Sequence, residues 1–287
     1  MFALHSIVMI ENQTKPPKKF IDIDGVIKDK NPSLYQIIPR FLIRYVSERI
    51  VRERILNEIM VDFKDLNNFE FCAAVCKRFN VTVYSVGTEN IPSDGGAIFA
   101  ANHPLGGMDA MAIMESISHH RNDVKFLVND LLMSIVNLRG IFVGVNKFGA
   151  TPRENIRRVD DLFAGNNAVF IFPAGLVSRM TQHRVIRDLD WKKTFISKAK
   201  KHKKPIVPVH ISGRLSRKFY RVAKIRKFFG IKINIEMLLL AQEMMKQRGK
   251  TITITYGKPI YPEHLDKSKN DDDWAYEVKS NVYNLVK

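Results

Sequence analysis

A histidine and an aspartate lie close together where a short apolar segment ends in a glycine-rich loop. Residues 97–101 are all apolar and lead into the segment Asn102-His103-Pro104-Leu105-Gly106-Gly107-Met108-Asp109. A carboxylate about one turn into the following helix can hold an imidazole in one tautomer and stabilise its protonated form. No serine or cysteine lies close by in the sequence as an obvious nucleophile. We therefore predict that His103 is a general base acting on a substrate hydroxyl, and that Asp109 orients it.

A second loop combines small residues, a hydroxyl and a guanidinium after another apolar segment. Residues 168–172 lead into Pro173-Ala174-Gly175-Leu176-Val177-Ser178-Arg179. A guanidinium at the end of a strand is well suited to hold an anionic group through charge-assisted hydrogen bonds. We predict that Arg179 anchors an anionic head group. Backbone amides near Gly175 are expected to contact the substrate or a developing oxyanion.

These loops need a scaffold that brings strand ends together. Short apolar segments predicted as strands alternate with segments of helical periodicity at 108–117 and 154–163, and the predicted strands cover residues 82–86, 97–101, 125–128, 140–145, 168–172, 206–211 and 251–256. This alternation predicts an α/β fold with a mostly parallel central sheet flanked by helices. In such folds the functional residues gather in the loops that follow the strands. The two loops above are in that position.

The predicted strands divide the chain into three parts. We expect an N-terminal helical, membrane-proximal segment at residues 1–80, a catalytic domain at 81–262 and a C-terminal helical tail at 263–287. Between residues 37 and 60 apolar pairs recur at helical spacing with five arginines between them. Two interpretations stay open for this long helical stretch. It either packs on the catalytic core or lies in the headgroup layer of a membrane.

The charge of the chain is strongly positive and concentrated. The 46 Lys and Arg exceed the 29 Asp and Glu by 17. Residues 181–230 contain 16 basic and 2 acidic side chains, a net charge of +14. An anionic membrane surface, an acidic carrier protein and nucleic acid are all candidate partners for such a segment. No nucleic-acid-reading module is recognisable, so we expect membrane and carrier protein rather than nucleic acid.

Composition and residue spacing exclude several other classes of protein. No apolar run approaches the ~20 residues of a membrane-spanning helix. Cys72 and Cys76, four residues apart, are expected to be buried thiols in a reducing cytoplasm, and residues 1–10 lack the features of a signal peptide. No Cys or His cluster has metal-ligand spacing, so no metal site is predicted. We expect a cytoplasmic protein.

Four segments, in this order, resemble motifs of the glycerolipid (lysophosphatidic-acid type) acyltransferase superfamily. Its members carry Asn-His-x4-Asp, Gly-Ile-Phe, Phe-Pro-Glu-Gly-Thr-Arg and an apolar strand containing proline. The first and third segments here are the two loops above, the second is Gly140-Ile141-Phe142, and the fourth is Pro205-Ile206-Val207-Pro208-Val209. The wording of the two loops looks like the haemolysin-like branch. That branch includes O-acyltransferases of bacterial ornithine and glycine lipids.

The chain departs from the superfamily pattern in several places. Five residues, not four, separate His103 from Asp109, and Met108 stands at the usual aspartate position. Gly106 and Gly107 can absorb the extra residue in a bulge, because glycine accepts positive φ. Ala174, Leu176 and Val177 replace the Glu, Thr and Arg of the third motif, while Ser178 and Arg179 follow; Asn146-Lys147 stands near the place of a missing second-motif arginine. The loss of phosphate-directed groups favours an acceptor with a carboxylate head.

The resemblance implies transfer of a fatty acyl group from a thioester to the hydroxyl of a lyso-lipid. The acceptor is expected to be an N-acylated amino-acid lipid, lyso-ornithine or lyso-glycine lipid. The donor is acyl carrier protein or coenzyme A as co-substrate, with no bound cofactor. The protein would work at the inner face of the cytoplasmic membrane, on anionic lipids. Besides the catalytic pair, the expected substrate-binding residues are Asn102, Gly106, Gly107, Pro173, Gly175, Ser178 and Arg179. Two alternatives remain: a 1-acylglycerol-3-phosphate acyltransferase, or a non-catalytic basic protein that binds membranes or nucleic acid.

Overall fold

The computed structural model describes residues 20–30, 32–145, 151–181, 183–231 and 234–286. The strands in these residues are β1 (Thr82–Val86), β2 (Ala97–Ala101), β3 (Val124–Val128), β4 (Phe142–Gly144), β5 (Ala168–Ile171), β6 (Arg179–Met180), β7 (Ile186–Arg187), β8 (Ile206–Ile211) and β9 (Thr251–Tyr256). The α-helices are α1 (Ile23–Lys30), α2 (Pro32–Ile37), α3 (Arg40–Tyr45), α4 (Glu53–Asp62), α5 (Asn68–Arg78), α6 (Gly107–Ile117), α7 (Pro152–Ala164), α8 (Thr194–His202), α9 (Arg217–Phe228), α10 (Leu240–Met245) and α11 (Asp271–Asn284).

Seven strands form one sheet in the order β1-β9-β8-β2-β5-β3-β4. Every neighbouring pair is parallel except β8 and β9, which run antiparallel. The predicted α/β fold with a mostly parallel central sheet is therefore confirmed. Because β8, β2 and β5 are parallel neighbours, the loops that follow them leave the sheet at the same edge. Strands β6 and β7 form a separate antiparallel hairpin.

The core explains why β2 consists only of apolar residues. All five residues of β2 are buried, which is typical of a parallel strand covered on both faces. Side chains alternate between the faces of a strand. Phe99 accordingly belongs to the apolar cluster that contains residues of α5 and α6, and Ile98 to the cluster that contains residues of α8 and α11. The two apolar clusters pack on opposite faces of β2 and so fix the strand that precedes the loop with His103.

The long helical stretch expected between residues 37 and 60 is interrupted. Helix α2 ends at Ile37, because the proline at position 39 disfavours helix at the residue before it. Pro39 is then the N-cap of α3. A π-helical turn over Val46–Val51 follows, and Arg52 lies in the left-handed region with φ of 58° before α4 begins. Residues 1–19 of the predicted N-terminal segment lie outside the described residues. They include residues 1–10, which were predicted not to be a signal peptide.

The predicted N-terminal segment and the predicted C-terminal tail both contribute side chains to the apolar core around the sheet. Helix α5 buries Phe71, Cys72 and Cys76 against one face, and α11 buries Trp274 and Val278 against the other. Both cysteines are free thiols, and burial raises the pKa of Cys76 to about 12, so it is unreactive at neutral pH. Among the helices that the structure describes, none is long and apolar enough to cross a membrane.

Candidate active site

His103 and Asp109 are in direct contact at the end of β2. The imidazole Nδ1 lies 2.7 Å from Asp109 Oδ2, and the same oxygen accepts a hydrogen bond from the backbone N–H of Leu105 at 2.9 Å. Asp109 is fully buried, whereas 19% of the His103 side chain is exposed. Burial raises the pKa of Asp109, and the hydrogen bonds from His103 and Leu105 oppose that shift. The arrangement fixes one imidazole nitrogen and leaves Nε2 for chemistry.

Gly106 absorbs the extra residue between His103 and Asp109. Its φ is 70° and its ψ is −129°, a backbone conformation that residues other than glycine rarely adopt. A Cβ atom at this position would also lie only 3.0 Å from the side chain of Leu240. Met108, which stands at the usual aspartate position, is completely buried in the core. The bulge thus turns Asp109 toward the histidine.

Phe172 forms one wall of the site. It follows β5, the neighbour of β2, and its ring stacks on the imidazole of His103 with 4.0 Å between centroids and 14° between planes. The sequence identified Phe172 only as part of a motif and did not assign it to the site. Because the ring lies parallel to the imidazole, it limits the directions in which the imidazole can tilt.

Asn102 has a structural role in the described geometry. Its side-chain amide donates to the carbonyl of Ile211 at 3.0 Å, and its carbonyl accepts from the Ile211 N–H at 2.6 Å. Both side-chain groups of this buried residue are therefore engaged with the end of β8. The predicted substrate contact of Asn102 stays a prediction, and the second N–H of its amide would have to make that contact. The residue ties the loop that carries His103 to the next strand.

Asp188 connects the two loops that the sequence singled out. One carboxylate oxygen accepts hydrogen bonds from Ser178 Oγ at 2.6 Å and from the backbone N–H of His103 at 3.3 Å, and the other accepts from Trp191 Nε1 at 2.9 Å. The backbone N–H of Ser178 in turn donates to the carbonyl of His103 at 2.8 Å. Ser178, predicted to bind substrate, is buried and engaged here. Sequence reasoning missed Asp188, whose signal was only that it is one of two acidic residues in the basic segment.

Comparison with known proteins places the chain in a family. A family model described as "Acyltransferase" matches residues 25–285. The chain belongs to this acyltransferase family. The superfamily resemblance drawn from the four motifs is thereby confirmed.

Several relatives of this acyltransferase are known. Two are named lyso-glycine lipid O-acyltransferase, one from Bacteroides thetaiotaomicron and one from Phocaeicola vulgatus; each is 42% identical over 266 residues, covering 92% of this chain and 97% or 95% of the relative. The crystal structure of the 1-acyl-sn-glycerophosphate acyltransferase PlsC from Thermotoga maritima matches with a TM-score of 0.46 and 18% identity, covering 91% of both chains.

Arg179 of the acyltransferase is engaged inside the protein. Its guanidinium donates to Glu236 at 2.9 Å and to the carbonyl of Val177, and it lies over the ring of Phe219. Glu236 is completely buried and also lies 2.9 Å from Arg226. Two guanidinium groups therefore share one buried carboxylate, and the three side chains together keep a formal charge of +1. The structure does not present Arg179 as a free anchor for a head group.

The three remaining predicted residues of the acyltransferase differ in accessibility. Pro173 is buried beside the stacked aromatic ring, whereas Gly107 at the start of α6 and Gly175 are exposed. The backbone N–H of Gly175 donates to the carbonyl of Phe172 at 2.9 Å, so this amide is already paired. Gly175 has a φ of 69°, which a tight turn requires. Its conformation shapes the loop beside the site.

The basic segment is only partly available to a partner. Three basic residues of α8 surround Asp160, namely Lys198, Lys201 and His202. Two more basic residues contact acidic residues of α11: Lys193 pairs with Asp272, and Lys200 pairs with Asp271. Helix α9 differs. Its twelve residues include six basic and no acidic side chains, and of these Arg226 is the one that pairs with a described carboxylate.

Proposed function

We propose that this acyltransferase moves a fatty acyl group from a thioester to the hydroxyl of a lyso-amino-acid lipid, with lyso-glycine lipid as the first candidate acceptor. The main support for this proposal is the His103–Asp109 pair at the end of a central strand, with 2.7 Å between Nδ1 and Oδ2. The names of the two relatives at 42% identity support the acceptor class. Lyso-ornithine lipid is a second acceptor of the same class.

The reaction follows from the tautomer of His103. With Nδ1–H donated to Asp109, Nε2 carries the lone pair and accepts the proton of the acceptor hydroxyl. The hydroxyl oxygen attacks the thioester carbonyl, forming a tetrahedral intermediate with a negatively charged oxygen. When the C–S bond breaks, the thiolate leaves and takes the proton from His103. Asp109 stabilises the imidazolium between these steps, and such catalysis contributes about 10²–10⁴-fold.

The donor in this proposal is a thioester of acyl carrier protein or of coenzyme A. The reaction needs no group beyond the two substrates, because the thioester is already activated. Exposed basic residues of α9 favour an acidic carrier protein as well as anionic lipid. Rates measured with matched acyl carrier protein and coenzyme A donors decide between them.

The acceptor chemistry has a specific requirement. Glycine carries no hydroxyl, so O-acylation of a glycine lipid must occur on a hydroxyl of its N-linked acyl chain. A 3-hydroxyacyl chain supplies one. The runner-up acceptor, lysophosphatidate, presents a phosphate dianion in place of the carboxylate, and phosphate recognition usually recruits several cationic or amide donors.

The test compares the two acceptors with the same purified enzyme and the same acyl donor. We expect the kcat/KM for N-(3-hydroxyacyl)glycine to exceed that for lysophosphatidate. An N-acylglycine without the hydroxyl serves as the control and should not be acylated. If lysophosphatidate is used equally well or better, the acceptor assignment is wrong and the runner-up replaces it.

We also infer that the protein works at the surface of the inner face of the cytoplasmic membrane. Four apolar side chains at the end of α9 and just beyond it are exposed: Ile225 (57%), Phe228 (83%), Phe229 (70%) and Ile231 (41%). They adjoin exposed basic residues on the same helix, including Lys224 and Lys227. Aromatic and apolar side chains beside cations are typical of helices that lie in the headgroup layer. Apolar residues of α3, Phe41 and Tyr45, are also exposed.

Vesicle binding tests this surface. A Phe228→Ser/Phe229→Ser variant should lose most of its sedimentation with vesicles of anionic lipid while keeping its melting temperature, because both rings are exposed. An Ile156→Ser variant removes an exposed apolar side chain elsewhere and should bind like the parent. Equal binding by the parent and the double variant would show that the end of α9 does not contact the membrane.

A further inference from the structure

A small cavity opens beside the loop that carries the histidine. Its volume is about 300 Å³, and its lining includes Asn102 and Pro104, the two residues that flank His103 in the chain. The lining also includes Arg184, Arg214 and Tyr283. None of the three was identified from the sequence. The cavity therefore adjoins the loop that carries the proposed general base, although His103 itself is not part of its lining.

The topology explains why these groups meet. Arg184 lies in the turn of the β6–β7 hairpin, where it has a φ of 60° and its N–H donates to the carbonyl of Thr181. Arg214 lies three residues after Ile211, the last residue of β8 and the partner of Asn102. Neighbouring strands are about 4.8 Å apart, so the loops after β2 and β8 leave the sheet side by side.

The two guanidinium groups of the cavity are uncommitted. Arg184 and Arg214 are exposed, and neither side chain makes a hydrogen bond or ion pair with another residue that the structure describes. This distinguishes them from Arg179, which pairs with Glu236. Glu243 lines a second cavity together with both arginines, but its carboxylate is already engaged by Ser216 and Lys246. Among the described residues, these two arginines therefore have no ion-pair partner.

We propose that Arg184 and Arg214 bind the carboxylate of the acceptor lipid in this cavity, while its hydroxyl lies at His103. The inference rests on the proposed function and specifies how that site selects its substrate. Guanidinium groups bind carboxylates through paired, charge-assisted hydrogen bonds. In N-(3-hydroxyacyl)glycine six bonds separate the carboxylate carbon from the hydroxyl oxygen, which is the length of two backbone residues, or about 7 Å when extended. That length suits two loops at the ends of adjacent strands.

The experiment uses two acceptors that differ only in the terminal group, a carboxylate in one and a neutral amide in the other. N-(3-hydroxyacyl)glycine and its neutral amide, N-(3-hydroxyacyl)glycinamide, are offered to the full-length enzyme with one acyl donor. The parent should favour the acid over the amide by tenfold or more in kcat/KM. Arg184→Gln and Arg214→Gln should each raise the KM for the acid about tenfold and leave kcat/KM for the amide and the KM for the donor nearly unchanged. The discrimination between the two acceptors then collapses.

Two controls keep the outcomes separate. Arg157→Gln removes an exposed arginine of α7 that lines neither the cavity nor the loop, and it should behave like the parent. The rate with the amide reports whether each variant is folded and catalytically intact. If either variant keeps the parent's preference for the acid, or loses both acceptors equally, the carboxylate site is overturned. If the parent acylates lysophosphatidate but not the glycine lipid, the proposed function itself fails, whatever the variants do.

Discussion

The ring of Phe172 stacks on the imidazole of His103 at a centroid distance of 4.0 Å, with Asp109 holding the Nδ1 atom of the same imidazole at 2.7 Å. One contact restrains the plane of the imidazole and the other fixes its tautomer. Phe172 lies in the loop after β5, and Asp109 lies in the first turn of α6. The proposed base is thus oriented by the sheet edge as a whole and not by its own loop alone.

Replacing Phe172 by leucine should slow catalysis without preventing binding. The stacked pair is worth about 0.5–1.5 kcal/mol, so we expect kcat to fall by up to about tenfold while the KM for the acceptor changes little. Phe172→Tyr keeps an aromatic plane and should retain most of the rate. Steady-state kinetics of both variants check this. A leucine variant with the parent's kcat would show that the ring does not position His103.

Asp109→Asn should separate activity from stability. One carboxylate oxygen, Oδ2, accepts from both the Leu105 N–H and His103 Nδ1, so in the variant the amide oxygen takes this position and keeps both contacts. The tautomer of His103 is retained, but the neutral amide no longer stabilises the imidazolium that forms when His103 takes the proton. We expect a loss of about 10²–10⁴-fold in kcat. Because burial raises the pKa of Asp109, a neutral side chain should leave the melting temperature unchanged or higher. A parallel fall in both would indicate a purely structural carboxylate.

The elements of the sheet were predictable because their residues are distinctive. The strand β2 was located because a strand covered on both faces consists of a continuous apolar run. The strands β1, β8 and β9 were located from short segments that are alternating or largely apolar. The pairing of His103 with Asp109 was also predictable, because two adjacent glycines permit the bulge. Both depend on residues close together in the sequence.

Contacts between distant residues were not predictable. Arg179 was expected to face substrate, but Glu236, 57 residues later in the chain, pairs with it. Ser178 and Asn102 were expected to bind substrate, but Asp188 and Ile211 engage them. Tertiary packing decides which loop residues pair with one another. These pairings cannot be read from local sequence patterns. The interruption of the N-terminal helical stretch at Arg52 has the same origin.

Asp188→Asn should weaken both the fold and the site. Its carboxylate accepts from Ser178, Trp191 and the His103 backbone, and an amide would place a donor against at least one of these donors. An unsatisfied buried group costs about 1–3 kcal/mol, which corresponds to a fall of several degrees in melting temperature. Ser178→Ala removes only one donor and should have a smaller effect. Differential scanning calorimetry measures both, and equal melting temperatures for Asp188→Asn and the parent would contradict this role.

His210 should make the protein less stable in mild acid. Burial lowers the pKa of His210 from 6.5 to about 4, and Arg184 and Arg214 lie in the same cavity. The folded state therefore keeps this imidazole neutral while the unfolded chain protonates it. The stabilisation is complete above pH 6.5 and is lost as the pH falls toward 4, by on the order of 3 kcal/mol.

His210→Gln removes that titration. Thermal unfolding followed from pH 7 to pH 4 should show a shallower loss of melting temperature for the variant than for the parent. A control at pH 7.5 reports any packing cost of the substitution, which is constant across the range. Parallel curves for the two proteins would show that His210 is not responsible.

The measurement that tests the account most directly is the rate of acyl transfer to N-(3-hydroxyacyl)glycine by His103→Ala, compared with the parent at the same donor concentration. His103 is partly exposed, so the variant should fold, and matched circular dichroism spectra and melting curves confirm that it does. We predict a loss of at least about 100-fold in kcat, the lower end of general-base catalysis. A rate within threefold of the parent would contradict the assignment of His103 as the base.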